Sequence, residues 1–131
     1  MLMLICGRSK AGKTTYSKRY NDVIHLDDAM KKGFNVYDIT HDAVSRRTGD
    51  VVVEGIYATV KRRKALINAY KGSGIKICIW LDTPKSIIAA RGLFKTVCPE
   101  EFEPPSRSEG WDEIIIIRGE YEQRISRQTE D

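Results

Sequence analysis

Gly7-Arg8-Ser9-Lys10-Ala11-Gly12-Lys13-Thr14-Thr15 is the stretch from which the rest of the chain is read. An apolar run, Leu2-Met3-Leu4-Ile5-Cys6, ends at its first glycine, and a polar stretch of helix-forming composition follows Thr14. The spacing is G-x-x-x-x-G-K-[ST], and strand, glycine-rich turn and helix is the context a phosphate-binding P-loop requires. Gly7 and Gly12 free the backbone to take dihedrals that a Cβ disfavours. Successive N–H groups can then turn inward as a nest for phosphate oxygens, with the positive end of the following helix behind them. In that arrangement Ser9, Lys10, Ala11 and Thr15 complete the cradle. Lys13 reaches the β- and γ-phosphates, and the Thr14 hydroxyl ligates Mg²⁺.

Outward from this loop the chain alternates. Strands are expected at Leu2–Cys6, Val23–Leu26, Val51–Val53, Ile75–Leu81 and Ile114–Ile117. Helices are expected at Lys13–Tyr20, Asn35–Arg47, Val60–Lys71 and Thr83–Arg91, and a frayed polar helix from Glu120 onward. The stretch from Gly92 to Gly110 reads as irregular and polar. Such alternation predicts an α/β fold of the P-loop NTPase type: a parallel sheet of four to five strands with helices on both faces. Its 131 residues suit one domain, with a lid around residues 91–110.

Ligands in such sheets bind beyond the carboxyl ends of the strands. Asp27 and Asp28 stand just past the second strand. A carboxylate there can accept the proton of a hydroxyl attacking a γ-phosphate, which makes Asp27 the candidate base. Asp28 is a hydrogen-bonding neighbour at the acceptor side or an N-cap. Glu54 ends the valine strand, where it would orient Mg²⁺ through water, hold a substrate group, or pair with a loop lysine. Arg91 is placed to clamp the transferring phosphoryl group by its planar fork, or is a cation favoured at a helix end. The run Lys61-Arg62-Arg63-Lys64 opens a helix, where cations oppose the dipole. Contact with polymer phosphates and a solvated helix face are both open readings of it. Lys31-Lys32 is similar and lies nearer the acceptor side.

Composition bounds the rest. A net charge of +4 suits phosphate-bearing partners without singling out nucleic acid. Three cysteines, Cys6, Cys78 and Cys98, carry no paired spacing, so a disulfide framework or zinc site is not expected and a reducing cytoplasm is. Cys6 and Cys78 read as small core residues. No long apolar segment suggests a membrane partner.

Together these residues resemble the kinase module of the polynucleotide 5′-hydroxyl kinases, and the resemblance runs through most of the chain. His25-Leu26-Asp27-Asp28 is similar to the family segment ending in the general-base aspartate, which falls on Asp27. Val53-Glu54-Gly55 stands where that family has an acidic residue. Arg91 falls in its lid, and Lys95 stands where a second arginine is usual. Phe102-Glu103-Pro104-Pro105-Ser106-Arg107-Ser108-Glu109-Gly110-Trp111-Asp112-Glu113-Ile114 resembles the family's F-x-x-P-[ST]-x-x-E-G-F-x-x-I, with Trp111 in place of Phe. Met30 stands where an acceptor-binding arginine is common. The resemblance implies ATP and Mg²⁺ as cofactors and phosphoryl transfer to the 5′-OH of a nucleic acid. A nucleoside, nucleotide or other small alcohol is the alternative acceptor, and a nucleotide-binding regulator a third reading.

Overall fold

A computed structural model describes residues 1–8, 11–26, 36–90, 102–119 and 121–126. Six strands form one sheet: β1 (Leu2–Gly7), β2 (Ile24–His25), β3 (Val51–Glu54), β4 (Lys76–Leu81), β5 (Glu113–Arg118) and β6 (Tyr121–Ser126). Their order across the sheet is β2-β3-β1-β4-β5-β6. The first five run parallel, and β6 returns antiparallel to β5. Among the described residues four α-helices accompany them: α1 (Lys13–Ser17), α2 (Val36–Arg46), α3 (Val60–Ala69) and α4 (Lys85–Ala90).

The central strands are apolar at nearly every position because both faces are covered. Leu2, Leu4 and Cys6 of β1 enter one core with Val44 of α2 and Leu66 of α3. Met3 and Ile5 turn the other way, toward Ala11 and the half-buried Tyr16 and Tyr20. A single-residue register slip would exchange these two sets. Burial of each Leu or Ile here contributes about 1.5–3 kcal/mol. Cys6 and Cys78 are buried thiols on the first face, with Sγ atoms 3.6 Å apart. Burial pushes the Cys78 thiol well above its ordinary pKa, which leaves it a core group of low reactivity.

The α/β alternation is present, and three expectations are corrected. The sheet has six strands and is mixed, where a parallel sheet of four to five is expected from the sequence. The segment expected as a terminal helix is β6, paired from Arg118↔Tyr121 to Glu113↔Ser126. Pairing to β5 satisfies the backbone groups on that side, and Ile125 packs against the core opposite Ile114; those gains override the helix preference of Glu, Gln and Arg. Helix α1 stops at Ser17, short of the expected Tyr20, and the chain turns through Lys18 to Tyr20.

The basic run at 61–64 is a further correction. Thr59 caps α3 by accepting from the Arg62 N–H, and the four cations then point different ways. Lys61 and Lys64 are exposed. The Arg62 guanidinium lies 3.9 Å from the centre of the Tyr37 ring. Arg63 has no exposed surface; it donates to both carboxylate oxygens of Glu109 and to the Tyr57 carbonyl. The run is therefore not one solvated face, because Arg63 leaves it for the core. Glu109 also accepts from Trp111 Nε1 and from the Ser106 N–H, so the buried charge pair has donors on every side, as such a pair requires.

Of the stretch expected as a lid, residues 91–101 lie outside the described residues. Phe102 and Pro105 are buried, and the Phe102 ring stacks on Trp80 with centroids 5.6 Å apart. The Glu103 N–H donates to the Ala58 carbonyl at 2.8 Å. This half of the stretch is packed against the core.

Candidate functional site

Past β1 the Ala11 N–H donates to the Arg8 carbonyl at 3.0 Å, and a glycine stands on either side of that turn. A Cβ on Gly7 would stand 2.8 Å from the Leu81 carbonyl oxygen on the neighbouring strand. Gly12 has φ 105°, a left-handed conformation that a side chain would strain. Thr83, just past β4, ties the loop down by donating its hydroxyl to the Ala11 carbonyl at 2.8 Å. Lys13 and Thr14 then open α1 at the carboxyl ends of β1 and β3.

Here a cavity of about 970 Å³ opens, with Gly12, Lys13, Thr14 and Thr15 on its floor. Glu54, at the end of β3, forms one end. Pro84, Ile87 and Ile117 supply an apolar flank, and Gly119, Tyr121 and Glu122 of the β5–β6 hairpin border it. The hairpin is not among the sequence-based site residues, because its segment is expected to be helical. Period-2 spacing is the signal that could have found it, but Tyr121, Gln123 and Ile125 mark it only weakly.

Within the cavity the polar groups are already arranged. Lys13 is buried, and its ammonium donates to the Arg8 carbonyl at 2.7 Å. The Thr14 hydroxyl donates to Glu54 Oε1 at 3.4 Å. Glu54 is 2% exposed, and its other oxygen, Oε2, lies 3.0 Å from His25 Nδ1. The sequence leaves open a pairing of Glu54 with a loop lysine; its partners among the described residues are a threonine and a histidine, and Lys10 lies outside them. The all-oxygen donor pair of Thr14 and Glu54 suits a hard cation such as Mg²⁺, which uses one or two protein oxygens and completes its shell with phosphate and water. Among the described residues there is no group of three or more His, Cys, Asp or Glu placed to hold a metal by themselves. Asp82, just past β4, is bound by Arg118 at 2.6 Å.

The structure thus brings Gly7, Ala11, Gly12, Lys13, Thr14, Thr15 and Glu54 to one place. Ser9, Lys10, Asp27, Asp28, Lys31, Arg91 and Lys95 lie outside the described residues. No family model matches the chain, and no curated protein matches it. No helix among the described residues is long and apolar enough to cross a membrane.

Proposed function

We propose that this chain is an ATP- and Mg²⁺-dependent phosphotransferase of the P-loop NTPase fold, delivering the γ-phosphate to a hydroxyl, foremost the 5′-OH of a polynucleotide. The observation that carries the reading is the cavity on which Lys13, Thr14 and Glu54 converge just after a turn flanked by Gly7 and Gly12, with Pro84, Ile87 and Ile117 also lining it. In this reading the main-chain amides of the loop hold the phosphates. Lys13 exchanges the Arg8 carbonyl for phosphate oxygen, bringing charge to the transferring group. Thr14 and Glu54 would hold Mg²⁺, which, when bound, neutralises charge developing on the phosphates. Asp27 takes the acceptor proton, Arg91 clamps the γ-phosphate, and Lys95 assists at the nucleotide. Asp28 and Lys31 meet the acceptor. A cytoplasmic setting belongs to the same proposal, since two buried thiols 3.6 Å apart suit a reducing compartment.

A second reading keeps the chemistry and changes the acceptor to a small alcohol. The dispersal of the basic run favours it, because only Lys61 and Lys64 of the four cations stand free of a ring or a buried carboxylate.

The test is transfer from γ-labelled ATP to 5′-OH oligonucleotides, nucleosides and sugars. We expect labelled oligonucleotide, and a loss of about 10²-fold or more in Lys13→Ala. Label confined to a small alcohol selects the second reading. Full-rate phosphate release without any acceptor, or wild-type transfer by Lys13→Ala, sinks both.

A further inference from the structure

The geometry points to His25 as a positioning residue that fixes Glu54 for Thr14, so that the metal-holding end of the cavity is set by a histidine that does not itself enter it. This rests on the phosphotransfer reading above. Strand β2 is only two residues long, and its register places His25 directly opposite Glu54 on β3. Side chains at paired positions share a face, and the two meet at 3.0 Å through Nδ1 and Oε2. An ionised carboxylate accepts only, so Nδ1 carries the proton and donates.

The consequence passes from one side chain to the next. With Oε2 held by His25, Oε1 is left aimed at the Thr14 hydroxyl, 3.4 Å away. A buried carboxylate with one anchored oxygen has little rotational freedom; without the anchor it must turn to find another donor. His25 is not itself the proton acceptor of the reaction. Glu54 borders the cavity and His25 does not, and the imidazole side chain is 32% exposed while the carboxylate side chain is 3% exposed. The ring acts from behind the site, as outer partners of metal ligands do.

Two variants separate this role from a structural or a catalytic one. Asparagine carries an N–H donor close to the position of Nδ1 and has no counterpart of Nε2; leucine fills the volume and donates nothing. Binding of ATP to wild type, His25→Asn and His25→Leu is measured by calorimetry twice, with Mg²⁺ and with chelator. Metal-free ATP should bind all three alike, which also shows that the variants are folded. With Mg²⁺, His25→Leu should lose about 10–100-fold in affinity and His25→Asn should stay near wild type. Equal affinity of all three in the Mg²⁺ arm overturns the inference and leaves the phosphotransfer reading standing. So does loss in His25→Asn equal to that in His25→Leu. Should His25→Leu fail to bind in the chelator arm, His25→Ala takes its place under the same outcomes, and a loss in His25→Asn alone still refutes the inference. A wild type that binds ATP in neither arm brings down the phosphotransfer reading and this inference with it.

Discussion

Arg63 and Glu109 lie 46 residues apart in sequence and meet in a two-pronged ion pair, Nε–Oε1 2.8 Å and Nη2–Oε2 3.1 Å, with side chains 0% and 1% exposed. The pair joins α3 to the short 3₁₀ turn at Arg107–Glu109 that leads into β5. Breaking it leaves a buried charge without a partner. Arg63→Ala should therefore lower unfolding stability by about 3–5 kcal/mol, whereas Lys64→Ala, on the exposed face of the same helix, should change it by less than about 0.5 kcal/mol. Urea denaturation of the two variants checks the contrast. Equal effects would mean that the pair does not hold the core together.

The exposed cations of α3 carry a separate prediction about the acceptor. Lys61→Gln/Lys64→Gln leaves the Arg63 pair intact. If a polynucleotide phosphate chain crosses this surface, the slope of log affinity against log salt for a 5′-OH oligonucleotide should shrink by about one for each phosphate that the variant no longer neutralises. A small neutral acceptor would show no such change. A titration at several salt concentrations distinguishes the two, and an unaltered slope removes α3 from the acceptor path.

His41 gives the molecule a pH dependence with a definite sign. Its Nε2 lies 3.1 Å from the Tyr57 hydroxyl, between α2 and the loop after β3. Burial lowers its pKa from the ordinary 6.5, and Arg62 lowers it further against the opposing pull of Asp38. A histidine held neutral in the fold binds fewer protons than in the unfolded chain. Its contribution is thus complete above pH 6.5 and is lost as pH falls toward the depressed folded value. The urea midpoint of the wild type should drop more steeply between about pH 7 and pH 5 than that of His41→Gln. Parallel curves would exclude His41 as the cause.

Thr40 offers a stabilising substitution. Its Oγ1 is buried on the inner face of α2 and has no hydrogen-bond partner among the described residues. Valine keeps the branched shape and removes the unsatisfied hydroxyl, and the two residues have similar helix propensity. Thr40→Val should raise stability by about 1 kcal/mol, seen as an upward shift of the thermal midpoint. A fall would reveal a partner for that oxygen.

The parts of this molecule that are legible in its sequence are those marked by local pattern. Gly7 and Gly12 announce a loop because glycine alone suits their conformations, and Val51-Val52-Val53 announces a strand buried on both faces. Arg63 is legible in principle, since it stands three residues before Leu66 and seven before Tyr70, on the stripe that faces the core. Its charge hides this, because the partner that neutralises it is Glu109, far along the chain. The contact of His25 with Glu54 depends on strand register, which no local pattern reveals. β6 escapes a sequence reading for a different reason. An edge strand with one covered face needs few apolar residues, and Glu122, Gln123 and Arg124 favour a helix until β5 offers them a ladder.

That same strand governs how one molecule meets another. β6 is the outer strand on its side of the sheet, and Glu122, Gln123 and Arg124 are all exposed along it. A rim of alternating charge is poorly suited to zipping onto the rim of a second copy. Crowded solutions of this protein should accordingly resist fibre growth from that margin, and replacing Glu122 and Arg124 by valine would be the quickest way to invite it.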